Sequence, residues 1–411
     1  MLAAGPLRRP DLDRPNPRSP RVNTPLTTGH GPAANALRAQ SLAHGTVGTA
    51  LLHIERAHRS LAPWADAHTV LASCTHQLVA DETASLYAGA PAVAFALHTA
   101  AKGTCRYTSA LEALDAQITQ LTRRRLVAAH ARIDRGARPH FHEFDLFYGL
   151  TGLGSYLLSR ETAAPVLREV FTYLVRLTHP LDGDPDQLPG WWTQSDPSGR
   201  RTQEFAGGHG NLGMAHGVAG ILSLLAIGAR AGVVMDGQIT AMKRICDWLD
   251  GWRQDTGSGP WWPQWITLAE HRTGTVTQPG PFRPSWCYGT PGLARAQQLA
   301  ALALGDTNRR HLAERALLAC LSDSGQLGRI RDAGICHGAA GLLHTTHRVA
   351  HDAAMNGFDI HLPRLHILIQ GLQAADGDGF LDGESGRALA ELTAETNGTT
   401  VSGWDACLLS G

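Results

Sequence analysis

The sequence predicts an all-α fold, an α/α toroid made as a double barrel of helical hairpins from seven glycine-motif repeats. Three observations predict it. A short glycine pattern recurs seven times in 411 residues, each recurrence opens an Ala- and Leu-rich run, and each interval is long enough for two helices and a connection. The pattern is a polar, aromatic or small residue, then Gly, two residues, and Gly or Ala. It reads His44-Gly45-Thr46-Val47-Gly48, Ala88-Gly89-Ala90-Pro91-Ala92, Tyr148-Gly149-Leu150-Thr151-Gly152 and His216-Gly217-Val218-Ala219-Gly220. It returns as Tyr288-Gly289-Thr290-Pro291-Gly292, His337-Gly338-Ala339-Ala340-Gly341 and Asp382-Gly383-Glu384-Ser385-Gly386.

The leading glycines are 44, 60, 68, 72, 49 and 45 residues apart. Runs such as Ile221-Leu222-Ser223-Leu224-Leu225 are helices by propensity. Glycines three apart share a helical face and permit close backbone approach, and the first can supply an unusual turn. Pro91 and Pro291 suit a first helical turn. Further helices are expected near 110–135 and 309–321, and strand signals are few. An open helical solenoid is the alternative, but its terminal repeats are usually atypical, and here the motif is equally strong at both ends. In a closed ring the inner helices present their N-termini to one end.

Hydrophobic content of 43% and charged content of 18% describe a globular chain with a sizeable core. A formal net charge of zero argues against bulk attraction to nucleic acid or an anionic membrane. No apolar run reaches the roughly 18 residues of a membrane span. Arginines and prolines crowd the first residues, without the apolar core of a secretory signal. Residues 1–34 are therefore expected as a disordered tail, and 35–411 as the toroid domain. Seven cysteines, an odd number, point to a reducing cytoplasm and to free thiols or metal ligands.

Two irregular stretches, 181–213 and 251–284, carry Trp191, Trp192, Trp252, Trp261, Trp262 and Trp265. Loops this long in a compact domain are usually functional or mobile. Exposed, these tryptophans would contact peptide; buried, they would plug the barrel end. An Arg123-Arg124-Arg125 run reads as a solvated helix face, with an acidic leader peptide as the alternative partner.

Cys287 and Cys336-His337 stand in the same phase of successive repeats, just before their glycines. Equivalent positions converge in a closed ring, so these side chains meet. Two thiolates and one imidazole suit Zn2+, and three protein ligands leave the open position of a catalytic site. Cys74, Cys105, Cys246, Cys320 and Cys407 lack that placement and read as small hydrophobes. His216 occupies the matching position one repeat earlier, and Asp145 lies four residues before Gly149. A His with a nearby carboxylate suits proton transfer near neutral pH. His44 reads as structural, and His344 and His347 as a helical surface rather than a fourth ligand.

Three segments resemble the signature of the LanC-type lanthionine synthetases, the cyclases of lanthipeptide biosynthesis. They are Asn211-Leu212-Gly213-Met214-Ala215-His216-Gly217, Ser285-Trp286-Cys287-Tyr288-Gly289 and Ile335-Cys336-His337-Gly338-Ala339-Ala340-Gly341-Leu342. The likeness runs from about Ser41 to the C-terminus and includes Trp404-Asp405-Ala406-Cys407-Leu408-Leu409. It implies that Cys287, Cys336 and His337 hold zinc, and that His216 and Asp145 form an acid–base pair. Arg283 and Tyr288 match further active-site positions. The segment around Asp145 is a looser fit, and Ala92 replaces a glycine usual in the family.

The reaction implied is addition of a peptide Cys thiol to dehydroalanine or dehydrobutyrine, giving lanthionine or methyllanthionine. The substrate would be a dehydrated precursor peptide, modified in the cytoplasm beside a separate dehydratase and exporter. Two rival readings stand: an enzyme adding glutathione or another small thiol to dehydrated residues, and a non-catalytic zinc-stabilised scaffold of a peptide-modifying complex.

Overall fold

The computed structural model describes residues 32–257 and 259–411. The expected tail lies outside them, except that residues 32–34 already belong to α1 (Pro32–Ala39). The first hairpin is α2 (Thr46–His58) with α3 (Trp64–Cys74), and the second is α4 (Ala90–Ala101) with α5 (Thr108–Asp134). A single turn, α6 (Phe141–Phe144), precedes the third, α7 (Leu150–Leu158) with α8 (Ala164–Leu177). The fourth is α9 (Val218–Arg230) with α10 (Gln238–Trp252), followed by α11 (Leu268–Thr273). The fifth, α12 (Thr290–Leu304) with α13 (Thr307–Ser322), leads through α14 (Ser324–Leu327) to the sixth, α15 (Ala339–His351) with α16 (Leu362–Gln370). The seventh inner helix, α17 (Glu384–Ala394), is followed by coil and a 3-10 turn, Trp404–Leu408, instead of an outer helix.

The inner helices pack in sequence, α2 on α4, α4 on α7, α7 on α9, α9 on α12, α12 on α15 and α15 on α17, and α17 returns to α2. The fold is a closed α/α toroid. Every leading motif glycine is the N-cap of an inner helix. Six of the seven have extended backbone, and only Gly89, at φ 74°, needs the left-handed region. The second glycine answers a close approach instead. An added Cβ at Gly341 would overlap the carbonyl oxygen of Ile335, six residues earlier, because the turn folds back over the first helical turn.

Ring closure is written in backbone hydrogen bonds between these turns. Leu42 N donates to Tyr87 O, Leu146 N to Ala215 O, Met214 N to Cys287 O and Cys287 N to Cys336 O. Cys336 N donates to Leu381 O, and Leu381 N to Ala43 O, which joins the last repeat to the first. The remaining seam, between repeats two and three, is bridged by side chains. Tyr87 stacks on Phe147 at 4.1 Å, and the Arg125 guanidinium reaches from α5 to Tyr148 O at 2.7 Å and to Glu82 O and Ala84 O at 2.8 Å each. Arg125 is thus a structural clamp, while its neighbours Arg123 and Arg124 form exposed ion pairs with Glu169 and Glu82.

The lumen of the ring is filled by the chain's last described residues. Tyr87 Oη donates to Cys407 O, Ser155 Oγ to Ala406 O, Trp286 Nε1 to Leu408 O and Arg295 Nε to Ser410 O. Asp405 receives Arg348 at 3.2 Å and His344 at 3.1 Å, so this segment is stapled to α15. His344 and His347 are both buried in the core, against the expectation of a helical surface.

The two irregular stretches join each other. Strand β1 (His209–Asn211) and, from the second stretch, a hairpin of β2 (Gln254–Thr256) and β3 (Gly259–Trp261) precede β4 (Trp265–Thr267), and β1 pairs antiparallel with β4. Trp191, Trp192, Trp252, Trp261 and Trp262 are buried within this cap, and Trp265 is half-buried. Burial, not peptide contact, accounts for the first five. No helix among the described residues is long and apolar enough to cross a membrane.

A hydrogen bond to a charged group contributes about 1.5–3 kcal/mol net, and several made by one side chain do not simply add. Removing all three with Arg125→Met is expected to lower stability by about 2–4 kcal/mol, read as a drop in the urea midpoint with helical circular dichroism retained. A midpoint equal to wild type would contradict the clamp.

Candidate functional site

Cys287 and Cys336 occupy the same turn position in adjacent repeats, and the bond from Cys287 N to Cys336 O sets them side by side. His337 follows directly. One donor atom from each of the three lies within 4.8 Å of the others, the one such group of three among the described residues. Cys336 is fully buried, Cys287 is 4% exposed, and His337 is partly open. The span suits zinc, whose sulfur and nitrogen ligands stand about 2.0–2.3 Å from the ion, with small side-chain rotations closing the set.

The electrostatics also suit a cation. A hydrogen bond with the Cys336 thiol, helped by His337 and the charge of Arg283, holds the Cys287 thiol well below its ordinary range despite burial. The same bond, reinforced by burial, pushes Cys336 up, so the two sulfurs share a proton. Burial opposes a charge on His337, yet its contact with Cys287 raises it overall. The N-termini of α12 and α15 begin just beyond these residues, and helix N-termini favour thiolate.

Two carboxylates flank the imidazole. Asp382 Oδ1 is 3.8 Å from His337 Nδ1, and Asp332 Oδ2 is 3.8 Å from Nε2. Carboxylates so placed orient a metal-ligating His. Neither was singled out from the sequence. Asp382 stands just before Gly383, in the repeat that follows His337 around the ring, so the repeat alignment held that signal; Asp332 had none.

Asp145 and His216, expected as acid and base, also come together, next to the thiols. Asp145 is fully buried, and its Oδ1 accepts the N–H groups of Tyr148 at 2.7 Å and Gly149 at 2.9 Å, closing the third turn. Its Oδ2 lies 2.6 Å from His216 Nδ1. A carboxylate only accepts, so Nδ1 carries the proton and donates it. Nε2 has no hydrogen-bond partner among the described residues. Phe147 at 5.0 Å, Phe141 at 5.3 Å and Tyr148 at 5.9 Å hold the ring in place. Backbone bonds from Met214 and Ala215 to Cys287 O fix His216 beside the thiols.

Tyr288 is buried with its ring centroid 6.2 Å from that of His216 and 6.4 Å from that of Trp265. Burial, reinforced by the charges of Cys287 and Asp145, raises its phenol far above the ordinary value. Its hydroxyl meets Asn211 Nδ2 at 3.3 Å. Arg283 is half-buried, and its charge acts on Cys287, Cys336 and His337. His44, at the equivalent position of the first repeat, lies 3.1 Å from Asp376 and outside the cluster. All seven residues singled out from the sequence thus fall at one end of the ring.

A family model described as lanthionine synthetase C-like protein matches residues 37–409. The nisin biosynthesis protein NisC of Lactococcus lactis subsp. lactis is 25% identical over 313 residues, covering 74% of this chain and 72% of that protein. Among solved structures, nisin cyclase aligns with a TM-score of 0.76 over 91% of this chain and 93% of its own, at 22% identity.

The hydrogen-bond polarity around Asp145 makes a sharp prediction. In wild type, neutral His216 is expected as the Nδ1–H tautomer in nitrogen-15 NMR of labelled histidine, assigned by difference with His216→Gln. Asp145→Asn turns its amide N–H toward the ring while its oxygen keeps the two backbone donors, so the tautomer should switch to Nε2–H. An Nδ1–H ring in the Asp145→Asn protein would show that this contact does not set the tautomer.

Proposed function

This chain belongs to the lanthionine synthetase C-like family, and on that premise we propose that it is a zinc-dependent lanthipeptide cyclase. It adds cysteine thiols of a dehydrated precursor peptide to dehydroalanine or dehydrobutyrine, closing lanthionine or methyllanthionine rings. The observation that carries this reading is the approach of Cys287, Cys336 and His337 to within 4.8 Å, beside an Asp145–His216 pair.

Cys287, Cys336 and His337 would hold the ion, which when bound supplies the Lewis acidity that keeps a substrate thiol ionised near neutral pH. The remaining work falls to the protein. The sulfur lone pair forms the C–S bond at the β-carbon while the C=C pair shifts toward the carbonyl oxygen, giving an enolate. Arg283 supplies positive charge for that enolate. His216, protonated and held through Nδ1 by Asp145, delivers a proton from Nε2 to the α-carbon. The proton lost by the substrate thiol balances the one gained at carbon, so the net change is addition of S–H across C=C with no oxidant or reductant. Burial of the thiol pair and of His216 keeps competing water from the enolate.

The partners follow from the substrate. The peptide must arrive already dehydrated, so a separate dehydratase acts first and an exporter takes the product, with this step in the cytoplasm.

The test is incubation with a dehydrated, Cys-containing peptide, with and without glutathione, read by thiol alkylation and mass spectrometry against enzyme-free controls. The expected result is loss of alkylatable thiol with no mass gain, at a rate reduced at least about 100-fold by His216→Ala, the lower end of what a positioned acid contributes. Glutathione adducts in place of rings would overturn the cyclase reading in favour of small-thiol addition. Unchanged ring formation by His216→Ala would refute the His216 role.

A further inference from the structure

Asn211 ends β1 and is 2% exposed, in the cap beside Tyr288. Its side chain makes two contacts of opposite sense. The backbone N–H of Gly213 lies 2.9 Å from one end of the amide, and the Tyr288 hydroxyl lies 3.3 Å from the other. A backbone N–H can only donate, so the end facing Gly213 is the oxygen. The end facing Tyr288 is then the NH2, and the phenol oxygen must accept.

That settles where the phenol proton is not. It cannot lie toward Asn211, and among the described residues it has no acceptor. A buried O–H left without an acceptor costs free energy comparable to a lost hydrogen bond. Tyr288 is only 4% exposed, and it is held fast: its ring packs against Gly213, where an added Cβ would come within 2.7 Å of Cδ1. The hydroxyl is a donor kept in waiting, next in sequence to Cys287.

Resting on the cyclase reading above, we infer that Asn211 is a positioning residue that fixes the hydrogen-bond polarity of Tyr288. The phenol O–H is thereby presented to the carbonyl oxygen of the dehydroamino acid under attack. Tyr288 is the catalytic residue, donating to that oxygen as it gains enolate charge. No proton is transferred in this contact, and it complements the charge of Arg283. Gly213 belongs to the same device, since its N–H orients the amide and its missing side chain admits the phenol ring.

Asn211→Asp tests this with almost no change of shape. The carboxylate still accepts from Gly213, but it now also accepts from Tyr288 and draws the phenol proton away from the substrate. Asn211→Ser is the second variant; its short hydroxyl can still accept from Gly213 in a local turn but does not span to Tyr288. Cyclisation by each is measured alone and in a Tyr288→Phe background, with zinc content and melting temperature as controls.

We expect Tyr288→Phe and Asn211→Asp each to lower kcat at least tenfold with KM changed less than threefold. Adding Asn211→Asp or Asn211→Ser to Tyr288→Phe should produce no further loss. Equal fold losses in both backgrounds would mean that Asn211 acts only on the cap, and would overturn the inference. So would wild-type kcat in Tyr288→Phe or in Asn211→Asp. A wild-type protein that forms no rings would instead sink the cyclase reading, so the two failures are distinct.

Discussion

The residues just before each inner helix carry backbone N–H and C=O groups that the helix cannot use, in a place sealed from water. Each such group must find a partner or cost its desolvation. The toroid meets this demand by pairing turn with turn around the ring, from Leu42 through Cys287 and Cys336 to Leu381 and back to Ala43. The register of one turn against the next therefore follows from the fold. Side chains at equivalent positions of adjacent repeats are therefore set side by side. Placing two cysteines at that position in adjacent repeats places two sulfurs side by side.

The seam between repeats two and three shows how strong this requirement is. Where no backbone bond joins the turns, a ring stack and a guanidinium take its place, and Arg125 alone satisfies three carbonyl oxygens. Filling the lumen with residues 404–411 answers a related problem. Inner helices rich in alanine and glycine leave an axis that their own side chains do not fill, and the last stretch of chain occupies it under four donors from repeats two, three and five.

Much of this was legible in the sequence, because a repeat turns one-dimensional spacing into three-dimensional proximity. Cys287, Cys336 and His337 show no metal-ligand spacing along the chain, yet their phase within the repeats located them together. Asp145 was harder: it precedes its glycine by four residues, and only the structure shows it both capping the third turn and holding His216. The role of the glycines was half visible. Close approach was expected, but extended backbone at six of the seven leading positions means that room, not an unusual φ, is what most of them provide. The burial of His344 is not legible because nothing local announces the lumen segment that carries Asp405 and Trp404, and that of His347 because its neighbours Gly398 and His366 come from elsewhere in the chain. Asn211 lay in plain view within a recognised segment, but the direction of its hydrogen bonds exists only in three dimensions.

The proposed chemistry depends most on the ring bringing these three residues together to bind one ion. Zinc analysis of the purified wild-type protein beside Cys336→Ala tests it most directly. One zinc per chain is expected in wild type and a loss of most of it in Cys336→Ala, with the helical content unchanged. Full zinc retention by the Cys336→Ala protein, or no zinc in wild type even after incubation with the metal, would contradict it.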